Sequence, residues 1–263
     1  MNEELLIIRD INGYDGDINR CRRLDEESSL LYHYKLNYNM AQLFFLNQKT
    51  DYDEKKFVHI FIENIYYILS MFNEMNVFPG YFFRKAFEMN AKYYERRKDF
   101  ADMPNDIRTK NGIRGDYKFY RDTHLSVWIG KEIEKGIENG YYHVQAYPKT
   151  NLSDAFLEIL ALFQKYDFTY KVATKEDCKK VFSDINYNYM TLSDELLNSD
   201  TLEEDIEYMS RMLFDHISFF VAIGVNPKKF LDDYLENEAE NTHKKFNEEL
   251  QDRIRAKEES RNK

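Results

Sequence analysis

Glu204 and Glu207, with Arg211 four residues beyond the second, form the most regular chemical pattern in this chain. Carboxylates three apart share one helix face and could offer oxygens to a hard cation. Arg211 offers a simpler account, because an intrahelical ion pair explains the trio without metal. Asp215 and His216 follow in "RMLFDHISFF", an otherwise apolar stretch where satisfied core groups are a simpler reading than ligands. Arg96 and Arg97 close a segment of helical period, where cations favour the helix C-terminus with or without a phosphate. The sequence has no Gly-rich phosphate loop, no G-x-S-x-G turn and no Cys/His metal spacing.

Helical period dominates the elements that must position these groups. Residues 24–47 predict one amphipathic helix with an acidic first turn. Residues 50–75 predict a second, opened by a capping box of Asp51 and Glu54 and apolar on more than one face, hence central. A third spans 79–98, and an ordered loop is expected over 99–122, which holds Pro104, Gly112 and Gly115. "HLSVWIGKEIEKGIEN" is ambiguous, as is "GYYHVQAYP", which could form a short strand. Helices are expected again within 151–166, 175–197 and 200–224, the last ending at Gly224 as a C′ residue. Asn226 and Pro227 open a final helix that runs into a charged tail, expected to be solvated and fraying.

The chain repeats itself. At an offset of 148, residues 70–91 and 218–239 agree at seven places, among them Ser70/Ser218, Phe72/Phe220, Val77/Val225, Pro79/Pro227 and Phe82/Phe230. "LNYNM" at 36–40 answers "INYNY" at 185–189 with an offset of 149. Two matches in the same order favour an internal duplication. The expected fold is therefore all-α: a helical bundle of two related repeats, residues 1–148 and 149–263.

"FIENIYYILSMFNEMNV", followed by "FEMNAKYYERR", resembles the second half of the all-α NTP pyrophosphohydrolase core, the superfamily of dimeric dUTPases and MazG proteins. Asn90 and Arg96 match the spacing of that family's next helix. Asn111-Gly112-Ile113-Arg114-Gly115-Asp116-Tyr117-Lys118 and Trp128-Ile129-Gly130-Lys131-Glu132 resemble its later motif, so the likeness covers residues 57–134. It implies magnesium-dependent hydrolysis of a nucleoside triphosphate between the α and β phosphates. In that family, E-x-x-E on one helix and E-x-x-D on the next hold the metal ions, which activate water. The resemblance implies Glu63 as a metal ligand, with Glu132 in a supporting catalytic role. It places Arg96, Lys118 and Lys131 on phosphate, and Asn90 on the nucleotide.

The chain departs from that pattern at the carboxylates. The E-x-x-D positions hold Ile60 and Glu63, and the E-x-x-E positions fall near His33 and Leu36. In the second copy, Asp215 stands where an Asp belongs, which implies a second metal ligand beside Glu63, and Met212 where a Glu belongs. Ile133 and Glu134 replace the Asp-Asn expected after Glu132. Neither copy keeps four carboxylates, so the expectation divides between an active enzyme and a chain that holds a nucleotide without hydrolysing it.

Two rivals stand beside this reading. Arg211 and His216 form an R-x4-H pattern resembling that of HEPN ribonucleases, with a phosphate clamp and an acid–base at a dimer interface. A non-catalytic helical module that binds another protein, such as a phage or mobile-element inhibitor or a structural protein, is the stronger rival, and exposed Tyr and Phe would serve it. The partner is thus a nucleoside triphosphate or a protein, with a homodimer left open.

Composition bounds these choices. The 263 residues are 43% apolar and include 21 Tyr and 20 Phe, so the core is expected to be rich in aromatics. Nine Gly and four Pro are few for a turn-rich β fold. The net charge of −10 disfavours binding to nucleic acid. No apolar run is long enough to span a membrane, and "MNEELLIIRD" lacks the basic start of a secretory signal. Cys21 and Cys178, distant in sequence, suggest neither a disulfide framework nor zinc, so a cytoplasmic setting is expected.

Overall fold

Asp25 starts the first helix by accepting two hydrogen bonds from Ser28, from its backbone N–H at Oδ1 (2.9 Å) and from its hydroxyl at Oδ2 (2.9 Å). Helix α1 then runs over Glu26–Gln48. It is followed by α2, Glu54–Glu74, and α3, Pro79–Met89. Later in the chain come α4, Leu202–Ala222, α5, Pro227–Asn237, and α6, Ala239–Arg261. This computed structural model describes residues 23–48, 54–75, 77–89, 130–131, 133–139, 157, 159–162, 182, 186, 189–222 and 227–261, without the side chains of 54, 89 and 218–230. Residues 133–138, 159–162 and 189–197 are also helical, and no strand occurs among the described residues.

Helix α2 lies at the centre and packs against α1, α4 and α5. Its apolar side chains point several ways because it has neighbours on several sides. Ile65, Ile68 and Phe72 are sealed from solvent, as are Phe82 and Phe83 on α3 and Leu213 and Phe214 on α4. The expected aromatic core is present. No helix among the described residues is long and apolar enough to cross a membrane.

The helix limits repeat with the same step as the sequence. Glu54 and Glu74 bound α2 as Leu202 and Ala222 bound α4, each spanning 21 residues. Pro79 and Met89 bound α3 as Pro227 and Asn237 bound α5, each spanning 11 residues. All four limits are displaced by 148. Proline opens both short helices because its absent N–H is one the first turn leaves unbonded in any case.

Three local readings change. The charged tail does not fray. Glu238 turns the chain, and α6 packs back onto α1 and α5. Phe246 anchors it, 3% exposed, with its ring centroid 4.4 Å from that of Tyr32. Helix α1 is not simply amphipathic, since it carries apolar side chains on two opposite faces. Finally, Glu204 belongs to a capping box: Thr201 Oγ1 accepts from its N–H (3.2 Å), and its own Oε2 accepts from the N–H of Thr201 (3.3 Å). Asp51, Gly224, the ambiguous segment 140–148 that could form a short strand, the loop 99–122 and the helix beyond Met89 lie outside the described residues.

Candidate functional site

Glu63 sits half-buried on α2, facing α1. Its Oε2 accepts from Asn39 Nδ2 at 2.9 Å and its Oε1 from the Tyr67 hydroxyl at 3.3 Å. Burial, reinforced by the neighbouring Glu63 charge, pushes the Tyr67 phenol well above its usual range, so it remains a donor. Each carboxylate oxygen therefore has a neutral partner from the protein. Ile60 and Leu36, at two further positions where the family has acids, are core residues. His33, at a third, is buried with Nδ1 3.0 Å from Ser193 Oγ, and burial lowers it to about 4.

Lys131 enters a charged cluster that the sequence splits across distant segments. Its ammonium lies 2.8 Å from Glu207 Oε2 and 3.1 Å from Glu134 Oε2. Arg211 Nη1 reaches Glu207 Oε1 at 3.3 Å and Glu195 Oε2 at 3.4 Å. The i,i+4 pair expected between Glu207 and Arg211 is present. Burial pulls the Lys131 ammonium down, but its hydrogen bonds to Glu207 and Glu134 outweigh that and hold it above the usual range. Burial pushes the Glu207 carboxyl up, against the pull of Lys131 and Arg211.

The backbone of Gly130 lies against this cluster. A Cβ there would meet Arg211 Cγ and Cδ at 2.7 Å and Glu207 Cγ at 2.8 Å. Gly130 thus permits a close approach, whereas in the sequence it stood out only as part of the Trp128–Glu132 stretch that carries the resemblance. The resemblance directed attention to Lys131 but not to its acidic partners.

Asp215 is buried on α4. His216 beside it is sealed from solvent, with Nδ1 2.8 Å from the Met212 carbonyl and Nε2 3.4 Å from Asn64 Nδ2. Arg211 is held in the ion-pair cluster while His216 lies in the core, so the R-x4-H spacing does not open both onto one solvent-facing site. Under the 148-residue displacement Glu63 corresponds to Arg211 and Asp215 to Tyr67, so the two candidate acids do not occupy equivalent positions. No group of three or more His, Cys, Asp or Glu is placed to hold a metal ion among the described residues. Glu132, Asn90, Arg96 and Lys118 lie outside them.

A different feature stands on α1. Leu30, Tyr34, Tyr38 and Phe45 are 41%, 51%, 56% and 68% exposed, and Phe44 borders them. The opposite face of the same helix buries Leu31, Leu36, Met40 and Leu43. Tyr34 and Tyr38 stack with ring centroids 6.2 Å apart, and the Arg253 guanidinium lies 5.6 Å from the Tyr34 ring. The outer stripe is ordered helix surface, not scattered exposure.

Comparison of the chain with protein-family models, with curated proteins and with solved structures finds no match.

Proposed function

We propose that this chain is a non-catalytic helical protein-interaction module. The observation that carries this reading is the second apolar face of α1, directly opposite the face that builds the core. A helix needs one apolar stripe to join a globular core, and a second one exposed in water marks a contact surface. The polar groups support the same reading. Glu63 and Lys131 are occupied by protein partners, which suits a scaffold better than a site awaiting a ligand.

The matching limits of α2–α3 and α4–α5 support an internal duplication, with repeats over 1–148 and 149–263. On this reading the second copy covers apolar surface that one helical hairpin leaves bare. The magnesium-dependent pyrophosphohydrolase reading draws on Asn90, Arg96, Lys118 and Glu132.

Two measurements test the proposal. Pyrophosphate release from dUTP, dCTP and the other nucleoside triphosphates, with and without magnesium, is expected to stay at background. Turnover that disappears in Glu63→Gln would restore the enzyme reading. A photo-crosslinking phenylalanine analogue placed at Tyr38 in the living host is expected to give a protein adduct. Absence of any adduct would remove the interaction reading.

A further inference from the structure

We infer that the outer face of α1 docks on the same face of a second copy of this chain, forming a two-fold symmetric dimer. The inference rests on the interaction-module reading and names its partner.

Spacing defines the face. Leu30, Tyr34, Ala41 and Phe45 fall at i, i+4, i+11 and i+15, and with Tyr38 and Phe44 they occupy an arc of about 120° on an α-helix. Ser193, which meets His33 on the flank of α1, has Met190 three residues before it and Leu197 four after it. Both are exposed, and their spacing puts them on the same side of their helix as Ser193, so they extend the patch beyond α1, with the exposed Asp194 between them. With about 150–250 Å² for each aromatic ring, the half-exposed stripe offers on the order of 500 Å² of apolar surface. A standard interface takes about 800 Å² per partner. The stripe thus supplies the apolar centre, and the Met190 and Leu197 flank contributes to the remainder.

Charge selects the occupant. The chain carries −10, so two copies repel each other over most of their surface. The outer face of α1 departs from this, since it carries no acid between Leu30 and Gln48 and borders the Arg253 guanidinium, 5.6 Å from the Tyr34 ring. Between Leu30 and Gln48 the only acidic or basic residue apart from the neutral His33 is Lys35, whose ammonium is bonded to Glu249 at 2.7 Å. The acids of the first turn, Glu26 and Glu27, are both paired with Lys257. A basic partner would be drawn to the acidic remainder of the molecule, whereas the acid-free stripe, with Arg253 at its edge, meets its own copy without the acid–acid repulsion that the rest of the surface imposes.

The pattern is also self-complementary, as a two-fold interface requires. An antiparallel crossing with its axis between residues 37 and 38 sets Leu30 against Phe45 of the partner subunit. The same axis sets the large Tyr34 against the small Ala41 of the partner subunit. In these two pairs a large side chain faces a small or aliphatic one, the alternation that close packing needs, and at the axis Tyr38 meets Asn37 of the partner subunit.

The test is light scattering on the full chain across about 1–100 µM, the range in which an interface of this size associates. The expected mass is twice 31.8 kDa. Tyr38→Glu and Phe45→Glu, both at exposed positions, should keep the helical circular dichroism and weaken association roughly hundredfold, the scale of losing a central hot spot. Lys244→Glu, on the exposed side of α6, should remain a dimer. Asn37→Cys with Cys21→Ser and Cys178→Ser should be joined to its own copy by a short bismaleimide, because residue 37 lies at the axis. A monomeric wild type, or a dimer that withstands both glutamates, overturns the inference. The Tyr38 photo-crosslinker separates this failure from failure of the interaction reading. Adducts with a different protein, or with residues 1–22 of the same chain, remove the dimer. Adducts with a different protein leave the module standing.

Discussion

Asn64 and His216 meet between α2 and α4, with Asn64 Nδ2 3.4 Å from His216 Nε2, an amide donor facing the ring nitrogen that carries no proton. The Met212 carbonyl can only accept, so Nδ1, 2.8 Å away, is the donor and Nε2 is the acceptor. The rings of Phe61 and Tyr189 flank the imidazole at 5.1 and 5.7 Å. Burial outweighs the pull of the Met212 carbonyl toward imidazolium, so the ring is held neutral.

Acid should therefore destabilise the fold through its buried histidines. Burial lowers both His216 and His33 from 6.5 to about 4. Between those values the unfolded chain binds more protons than the folded one, so stability rises with pH across the window. The full contribution is present above pH 6.5 and is lost as pH falls toward 4. For the fully buried His216 it is on the order of 3 kcal/mol. Urea midpoints measured from pH 7 to pH 4 should fall, and His216→Gln should flatten the slope. An unchanged slope in both His216→Gln and His33→Gln would remove the histidines as its cause.

Gly130→Ala should destabilise by about 1–3 kcal/mol, the usual cost of overpacking. The atoms that an added methyl would strike, Arg211 Cγ and Cδ and Glu207 Cγ, lie mid-chain and cannot swing aside cheaply. Their far ends are fixed by the ion pairs with Lys131 and Glu195. Glu207→Gln should cost about 2–3 kcal/mol, less than a fully buried pair because Lys131 keeps access to water. The two losses should fall short of additive in the double variant, since both act on one cluster. Strict additivity would show that Gly130 and the ion pairs are independent.

Phe246→Ala should cost about 3–4 kcal/mol, as for other buried phenylalanines. It packs on Tyr32 and Tyr67, with ring centroids 4.4 and 6.4 Å away, and is the most deeply buried anchor of α6. Limited proteolysis should then cut within 239–261 first. A variant as resistant as the wild type would mean that the contacts of Lys35 with Glu249 and of Lys257 with Glu26 hold the helix unaided.

The sequence disclosed this architecture wherever one chain segment speaks for itself. Pro79 and Pro227 marked two helix starts correctly because proline's fixed φ is a local property. Continuous apolar period likewise marked α2 as central. The docking of α6 was not legible, because one buried phenylalanine in a run of charges gives no visible stripe. The pairing of Lys131 with Glu207 was hidden for another reason. Glu207 is 76 residues away, and no local rule pairs charges at that distance. Helix α1 shows the limit of pattern reading, since apolar residues on both faces blur the period and only packing tells inside from outside.

Glu63 separates the scaffold reading from the metal reading most directly. As a scaffold residue it accepts from Asn39 and Tyr67 and needs no cation. Glu63→Gln keeps an acceptor oxygen and should shift stability by about 1 kcal/mol or less, whereas Glu63→Ala strands the buried Tyr67 hydroxyl and should cost about 1–3 kcal/mol. Neither change should depend on magnesium. A metal ligand would behave otherwise: any ion bound by the folded state alone raises the melting temperature as its concentration grows. Thermal scans in EDTA and in magnesium up to millimolar levels, on the wild type and both variants, decide the matter. Coincident curves support the scaffold role. A magnesium-dependent rise in the wild type that Glu63→Gln abolishes would establish Glu63 as a ligand and reopen the nucleotide site around Lys131.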